Sequence, residues 1–381
     1  MTRTVDFPSQ PIEDVHEQSK RNDVKTRVLD WLNERTGLVE PVRSFLNYPV
    51  PEYVYRNYMY TLGGLTLIML TLQAVTGILL AFYYDPSPEG AYNSVDYITY
   101  VLPYGWLIRG VHHYGASALV ILTGLHMLRT YFTSAYKGKR EINWLSGVLL
   151  LFLVLGFGFT GYLLPWDQKG YWATQVGTEI AGSVPVVGDY LLTFARGGEF
   201  LGQATLTRFY TIHILLLPAT IGLIVVAHVY LLRFHGMAPP ITERGKRLMN
   251  RFVPFFPYWV TKDAVLGAVL LGFLIYLSYI ARASLEFPAD PTSSNYTPRP
   301  EWYFLFLFQL LKYFPGPLEV VAVVVVPMIA VGGLILLPFI DRSAERRPWR
   351  KPITTTIGIA AIVAFVLLTL LSHNGLDCQL L

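Results

Sequence analysis

Seven long stretches without a charged residue run through this chain, and they restrict its fold more than any other feature of the sequence. Each has 18 to 25 residues, and a helix needs about 20 apolar residues to cross a bilayer. Stretches that are apolar on every face do not suit the surface helices of a soluble domain. The sequence therefore predicts an all-α integral membrane protein with seven transmembrane helices. The stretches are Thr61–Tyr84, Gly110–Leu128, Ile142–Trp166, Phe209–Leu232, Ala264–Ala281, Val320–Ile340 and Pro352–Leu376.

The composition supports this class and argues against several others. Hydrophobic residues make up 53% of the chain and charged residues 15%, whereas a soluble domain carries about 25% charged residues. This composition excludes intrinsic disorder, and a net charge of +4 does not predict nucleic acid as a partner. The single cysteine, Cys378, argues against a disulfide framework, a thiolate zinc site or an iron–sulfur cluster on this chain. Such a centre is expected on a partner chain.

Lysine and arginine are distributed unevenly between the connections of these stretches. Residues 1–57 are basic, and the loop Asp85–Leu107 contains neither Lys nor Arg, whereas the loops with Lys137, Arg247 and Arg346 are basic again. Because basic loops stay on the cytoplasmic side, we expect a cytoplasmic N-terminus and, after seven crossings, a C-terminus outside. The polar start lacks a cleavable signal, and Val24–Leu38 is predicted as an amphipathic helix on the cytoplasmic surface.

A stretch rich in proline and basic residues separates the first four predicted helices from the last three. The predicted organisation is a cytoplasmic segment at residues 1–57, a four-helix bundle at 58–236, a cytoplasmic linker at 237–262 and a three-helix C-terminal domain at 263–381. A further apolar run, Trp302–Leu311, has only 10 residues. It predicts a re-entrant or surface helix in a long outer connection.

Histidines at membrane depth are the main candidates for chemistry, because polar side chains there are costly and usually functional. His112 and His126 are 14 residues apart, which places them within about 40° of one helix face and ~21 Å apart along the axis. His213 and His228 are 15 apart, within about 60° and at a similar separation. Two facing helices would therefore form two stacked bis-histidine sites, His112 with His213 near the outer side and His126 with His228 near the cytoplasm.

The alternative for a single membrane histidine is a hydrogen bond to a neighbouring helix. His113 has no counterpart on the other helix, so that interpretation applies to it. Two matched pairs favour metal ligation instead. Two axial imidazoles close an iron centre, which suits haem electron transfer better than zinc or oxygen chemistry.

Glycines and arginines near the histidines fit a haem site. A missing Cβ lets a flat macrocycle approach the backbone, although membrane glycines also serve helix packing. Arginines can pair with haem propionates, although their side chains can also snorkel to lipid phosphates. The glycines are 14 residues apart in each pair and are Gly63, Gly77, Gly147 and Gly161; the flanking arginines are Arg109, Arg129 and Arg208.

Glu301 is a candidate for proton chemistry, because it lies beside an apolar, aromatic run in an outer connection. It follows Pro300 and precedes Trp302 and Tyr303. Desolvation there favours the neutral acid, so Glu301 could accept and release a proton near neutral pH. The alternative from the residues alone is a glutamate that caps the following helix.

Five segments of the chain carry distinctive motifs: GWLIRGVHHYGAS, GLHMLR, GYLLPWDQKGYWA, LTRFYTIH and RPEWYF. Together they resemble the cytochrome b subunit of quinol-oxidising cytochrome bc complexes. The resemblance covers residues 25–375. GQATLTRFY and LPWDQKGYWA resemble the b6f branch, in which the four-helix and three-helix parts are separate chains. The fusion seen here resembles the respiratory complexes and implies a bacterial inner membrane.

The resemblance implies a subunit of a quinol:cytochrome c or plastocyanin oxidoreductase that contributes to proton translocation. Quinol would be oxidised at an outer site, with one electron leaving to a Rieske iron–sulfur protein. The other would cross the membrane through two non-covalent b haems, held by the two histidine pairs, to a quinone near the cytoplasm. The implied partners also include a cytochrome c-type subunit, membrane lipid and a second copy of the complex in a homodimer.

The resemblance also implies roles for individual residues. Pro300–Tyr303 resembles the family's quinol-oxidation motif, which implies that Glu301 and Tyr303 serve the outer site together with Tyr162. The inner quinone site resembles two branches at once. Lys262 and Asp263 match the respiratory pattern, whereas Arg233 stands where respiratory members have a histidine and resembles the b6f pattern.

The b6f branch carries an extra haem joined through a cysteine two residues before a Gly-Gly pair. That position is Thr61 here, so no covalent haem is expected on this chain. Two other classes are weighed against this function. A di-haem anchor of a hydrogenase or formate dehydrogenase would have fewer spans and lack the outer glutamate motif. A transporter would show inverted repeats and broken helices, and no such repeat is visible in the sequence.

Overall fold

The chain is almost entirely helical in a computed structural model that describes residues 24–293, 296–297 and 299–374. Residues 1–23 of the predicted cytoplasmic segment and Cys378 lie outside the described residues. The helices are α1 (Val24–Thr36), α2 (Val39–Leu46), α3 (Glu52–Arg56), α4 (Leu62–Ala81), α5 (Ala91–Tyr100), α6 (Gly105–Phe132), α7 (Glu141–Tyr162), α8 (Gln168–Gly182), α9 (Gly188–Arg196), α10 (Gln203–His235), α11 (Glu243–Leu248), α12 (Phe255–Ile280), α13 (Trp302–Lys312), α14 (Gly316–Ile340) and α15 (Pro352–Asn374).

Length and composition identify six helices in the described part of the chain that could span a membrane: α4, α7, α10, α12, α14 and α15. The second predicted crossing lies within α6, whose 28 residues are long enough. Three histidines and two arginines lower the hydropathy of α6 below that of the other six. An all-helical, multi-pass membrane fold is therefore confirmed, and the crossing by α6 stays a prediction.

The long helices pack around a buried apolar cluster to which five of them contribute. The cluster consists of Met69, Leu119, Val154, Ile221 and Leu274, which come from α4, α6, α7, α10 and α12 in that order. Helix α6 packs along α4, α7 packs along α10, and α12 lies against both α4 and α6. Because α6 and α10 both contribute to this cluster, the two histidine-bearing helices are held in one bundle.

The basic connections meet at one end of the bundle. Strand β1 (Pro49–Pro51) pairs with β2 (Phe252–Pro254), so the N-terminal segment and the linker are joined. Arg140 donates to the carbonyl of Gly236 at 3.1 Å, and Arg346 donates to that of Thr133 at 3.1 Å. This shared end agrees with the uneven distribution of Lys and Arg, whereas its cytoplasmic orientation stays a prediction.

A buried charge cluster ties the α14–α15 connection to the loop after α6. Asp341 accepts a hydrogen bond from Lys137 Nζ at 2.7 Å and from Tyr136 Oη at 2.5 Å, and it also pairs with Lys351. Burial alone would raise the pKa of Asp341, but hydrogen bonds from Lys137 and Lys351 hold it below its usual range. The cluster therefore links the loop after α6 to the α14–α15 connection through charged groups that compensate one another.

The opposite end of the bundle is covered by short helices in the two long connections. Helices α8 and α9 fill the connection between α7 and α10, and the buried Arg196 side chain donates to Thr178 Oγ1 at 2.8 Å to fix them together. Helix α13 lies in the connection between α12 and α14. Its bounds, Trp302–Lys312, agree within one residue with the predicted short helix.

Candidate functional site

The four candidate histidines lie as two pairs between α6 and α10. The ring centroids of His112 and His213 are 6.4 Å apart, and those of His126 and His228 are 6.5 Å apart. These centroid distances leave room for one metal ion between the two rings of each pair, with metal–nitrogen bonds of about 2 Å. The structure thus brings together the partners that the spacing predicts, at two levels of the bundle.

A π-turn in α10 explains how histidines 15 residues apart can pair with histidines 14 residues apart on α6. Helix α10 contains a π-turn at Ile212–Leu216, which includes His213 and precedes Pro218. Since Pro218 has no N–H to donate and a π-turn takes one residue more than an α-turn, the extra residue is absorbed there. The 15-residue gap in α10 therefore presents its histidines like the 14-residue gap in α6.

Hydroxyl groups on neighbouring helices contact the Nδ1 atom of three of the four histidines. Thr76 Oγ1 donates its only proton to the carbonyl of Leu72 at 2.8 Å. Its oxygen also lies 2.9 Å from His112 Nδ1, and it accepts the Nδ1–H in the tautomer that carries the ring proton on Nδ1. Equivalent hydroxyl contacts are Thr160 with His213 at 3.0 Å and Ser146 with His228 at 2.8 Å.

In the tautomer protonated at Nδ1, the Nε2 lone pair of each of these rings is unprotonated and directed away from the hydroxyl. Histidines that ligate metals commonly donate their other N–H to a protein oxygen, which fixes the tautomer and the ring orientation. Sequence analysis missed the three hydroxyl residues. Their signal is weak, because serine and threonine in membrane helices commonly bond to their own backbone four residues earlier.

Each candidate glycine lies against one candidate histidine. A Cβ on Gly161 would lie 2.6 Å from His213 Cε1, and one on Gly77 would lie 3.2 Å from His112 Cε1. Gly63 and Gly147 make the same kind of approach to the inner pair, with corresponding distances of 3.1 Å to His126 and 3.4 Å to His228. The four glycines therefore give the imidazole rings room beside α4 and α7.

The three candidate arginines lie near the ends of the histidine helices, and protein groups contact each of them. Arg109 is buried and donates to Thr99 Oγ1 at 3.1 Å and to the carbonyls of Ala283 at 2.7 Å and Ser284 at 2.6 Å. The Arg129 guanidinium lies 3.8 Å from the centre of the Tyr60 ring. Arg208 donates to backbone carbonyls at the end of α9. Their pairing with propionates stays a prediction.

The outer candidate residues come together where α8, α7 and α13 meet. Glu301 Oε1 lies 3.1 Å from Lys169 Nζ, and Tyr162 Oη donates to the carbonyl of Arg299 at 3.3 Å. Tyr303 is buried, with its hydroxyl beside Gly158 of α7. Burial raises the pKa of Tyr303, so its hydroxyl stays protonated and can act as a donor.

The structure decides between the two interpretations of Glu301. The residue occupies the position before the first turn of α13, but its side chain makes no capping hydrogen bond. The capping interpretation is therefore wrong. The prediction of a carboxyl group surrounded only by apolar residues was incomplete, because the Glu301 carboxylate faces the ammonium group of Lys169.

The inner candidates do not form one cluster. Lys262 Nζ donates to the carbonyl of Tyr55 at 2.5 Å and lines a cavity of about 400 Å³ together with Tyr55, Tyr58 and Thr261. The neighbouring Asp263 points instead towards Gly64 of α4, beside the inner histidine pair. Its Oδ1 is buried and has no hydrogen-bond partner among the described residues.

Arg233 lies apart from Lys262 and Asp263. Its guanidinium is 3.6 Å from the centre of the Phe45 ring, 4.7 Å from that of Tyr48 and 5.1 Å from that of Phe255. It also donates to the carbonyl of Phe45 at 3.3 Å. The described contacts of Arg233 therefore attach α2 to the start of α12.

Comparisons with known proteins agree with this geometry. A family model described as cytochrome b/b6/petB matches residues 45–236, and one described as cytochrome b (C-terminal)/b6/petD matches residues 288–377. The chain belongs to the cytochrome b family. It is 36% identical to a cytochrome bc complex cytochrome b subunit of Chlorobaculum thiosulfatiphilum, over 91% of this chain and 81% of the relative.

Two further relatives reflect the mixed character of the sequence within the cytochrome b family. Cytochrome b6 of Synechococcus sp. (strain RCC307) is 42% identical over 56% of this chain and 97% of its own length. A solved structure titled hyperthermophilic respiratory Complex III superimposes with a TM-score of 0.79 at 30% identity, and the match covers 91% of each chain. The resemblance read from the motifs is thereby confirmed.

Proposed function

We propose that this chain is the cytochrome b core of a quinol:cytochrome c or plastocyanin oxidoreductase, with seven crossings and two bis-histidine haem sites. The proposal rests on the two histidine pairs, whose ring centroids are 6.4 Å and 6.5 Å apart. Two b haems bound there would supply one-electron transfer across the membrane.

The residues present fit such a group. Four neutral imidazoles offer the nitrogen donors that haem iron accepts, and three of them have Nδ1 occupied by a hydroxyl contact. Glycines beside all four rings keep space free of side chains. His112 with His213 would hold the outer haem and His126 with His228 the inner one, and Arg109, Arg129 and Arg208 would bind propionates.

At the outer site, Glu301 would accept a proton from bound quinol. Its carboxylate lies among aromatic residues and pairs with Lys169 rather than with the backbone of α13. Tyr303 and Tyr162 would orient the quinol through their hydroxyls. A positioned carboxylate of this kind typically contributes about 10²–10⁴-fold to a proton-transfer step.

At the inner site, Lys262 would contact a quinone in its cavity. Asp263 would offer a second polar group on the other side of α12, beside Gly64. Its buried Oδ1 has no hydrogen-bond partner among the described residues, and such an atom needs one. Arg233 would contribute by holding α2 and α12 together. The proposed partners are a Rieske iron–sulfur protein, a cytochrome c-type subunit and a second copy of the complex, in a bacterial inner membrane with a cytoplasmic N-terminus.

Reduced-minus-oxidised spectra of the purified complex test this function. We expect two b-type haem components per chain and quinol-dependent reduction of a c-type cytochrome. A complex without b-type absorbance would refute the haem sites. Two haems without quinol-dependent reduction would refute the enzymatic function and favour a di-haem anchor.

Substitution of Gly161 should disturb the outer haem in particular. In Gly161→Ala the new methyl would lie 2.6 Å from His213 Cε1, and overpacking of this kind costs about 1–3 kcal/mol. We expect reduced occupancy of the outer haem, measured from its absorbance band per chain. The control is Gly156→Ala on the same helix, where the nearest Leu217 carbon is 3.8 Å away. Equal outer-haem occupancy in the two variants would contradict the assigned contact.

Haem attachment should be non-covalent. Thr61 stands where the b6f branch has its attaching cysteine, and its hydroxyl is buried and donates to the carbonyl of Tyr58 at 2.6 Å. A threonine hydroxyl cannot form a thioether. We expect acidified acetone to extract all haem from this chain, so that a denaturing gel shows no haem stain at 43.1 kDa. A stained band at that mass would contradict the prediction.

A further inference from the structure

Lys169 is a charged residue at the outer site that the function described above does not yet use. It lies in the first turn of α8, where a positive side chain opposes the helix macrodipole. The turn is fixed by Asp167, whose carboxylate accepts the N–H of Gly170 at 2.8 Å. Local helix energetics therefore do not account for a lysine at this position, and its tertiary contacts must be considered.

Those contacts join two candidate residues of the outer site. Lys169 Nζ lies 3.1 Å from Glu301 Oε1 and 5.3 Å from the centre of the Tyr162 ring. The ammonium thus stands between α8, the end of α7 and the start of α13. The partner glutamate is 132 residues away in the sequence, so the contact exists only in the folded bundle.

The burial of the pair distinguishes it from a surface ion pair. The side chains are 30% and 17% exposed for Lys169 and Glu301, whereas Lys246 and Glu243 at the other end of the bundle are 50% and 66% exposed. Exposed pairs contribute little. Removing one partner of a desolvated pair leaves an uncompensated charge, which has a large effect.

Other titratable groups also face Glu301, but at longer range. His113 comes from α6, Tyr162 from α7 and Tyr303 from α13 itself, and each interacts electrostatically with the carboxylate. Among the described residues, Lys169 is the one that forms an ion pair with it. A lysine therefore supplies the local positive charge at the proposed proton acceptor.

We propose that Lys169 is a positioning residue of the outer quinol site, which holds the Glu301 carboxylate in the orientation that receives the quinol proton. The inference rests on the proposed function of that site. The proton passes from a quinol hydroxyl to a carboxylate oxygen, and Lys169 keeps its own protons throughout. Its positive charge also compensates the carboxylate when bound quinol excludes water from the pocket.

The test is a double-mutant cycle in the assembled, haem-loaded complex. The variants are Lys169→Met, Lys169→Arg, Glu301→Gln and the double variant Lys169→Met with Glu301→Gln. Lys246→Met is the matched control, because it removes an ion pair far from the site. Haem spectra verify that each variant is assembled, and kcat and KM for quinol are measured separately.

We expect Lys169→Met to lower kcat about tenfold, a coupling of ordinary size for contacting charged residues. Lys169→Arg should retain most of the activity, because it keeps the charge. In the Glu301→Gln background, Lys169→Met should cause no further loss, since the residue acts through the carboxylate. The control should match the parent.

Two results would overturn the proposal. One is that Lys169→Met lowers kcat by the same factor in the parent and in the Glu301→Gln background. The other is that Lys169→Met keeps the parental kcat. The proposed function fails separately. If Glu301→Gln alone keeps the parental rate, the outer-site assignment itself is refuted. If Glu301→Gln is slow and Lys169→Met is not, only the role of Lys169 is refuted.

Discussion

Replacement of His126 by alanine should abolish the inner haem and leave the outer one bound. The His126 ring faces His228 at 6.5 Å between centroids, and the outer pair lies at a different level of the bundle. Alanine provides no nitrogen ligand, so the proposed inner haem would lose one of the two residues that would hold it. The expected readout is the loss of one of two b-type bands in reduced-minus-oxidised spectra, together with weaker assembly of the complex.

The neighbouring histidine provides a matched control for this experiment. His113 lies on the same helix as His112 and makes a ring contact with Tyr114 at 5.0 Å, but it has no histidine partner on α10 among the described residues. His113→Ala should therefore keep both bands. His112→Ala should remove the band that His126→Ala retains. Survival of both bands in His126→Ala would defeat the ligand assignment.

The histidine pairs could be predicted because an α-helix converts sequence spacing into height and direction. The 14-residue gap of His112 and His126 needed no correction. The 15-residue gap places His213 and His228 within about 60° of one face of an ideal helix, and the π-turn at Ile212–Leu216 takes up one extra residue within that gap. Pro218 was the available signal, since a proline within a helix perturbs its hydrogen bonding.

Helix α6 shows that hydropathy alone can miss a helix that bears candidate functional residues. Its histidines make it the main candidate for chemistry, and the same residues lower its hydropathy below that of the other long helices. Mean hydropathy therefore identifies α10, which also bears two of the candidate histidines, but not α6. The absence of charged residues over Gly110–Leu128, rather than mean hydropathy, predicted a crossing there.

Contacts between distant segments could not be predicted from spacing. Arg109 is buried against carbonyls of residues 283 and 284, and Lys169 reaches a glutamate in another connection. Asp263 and Lys262 are adjacent in sequence, yet they point to different sides of α12. The contacts of Arg109 and Lys169 depend on how loops fold over the bundle ends, and loops carry no helical period.

The second large effect is expected on quinol oxidation, when the Glu301 carboxylate is removed. Glu301→Gln should slow quinol oxidation by about 100-fold or more, the loss expected when a positioned proton acceptor is removed. Glutamine nearly preserves the size of the side chain and can still hydrogen-bond, but it cannot take a proton from quinol. Both haem bands should remain, because Glu301 lies in the outer connection and not between the histidine rings.

The measurement is steady-state quinol oxidation across pH, compared with haem content per chain in the same preparation. A fall in rate with unchanged haem content separates a lost proton acceptor from a lost cofactor. Glu243→Gln is the matched control, because Glu243 also pairs with a lysine, Lys246 at 2.8 Å, but lies exposed at the other end of the bundle. If Glu301→Gln oxidised quinol like the parent at every pH, the carboxylate would serve only to anchor Lys169 and α8.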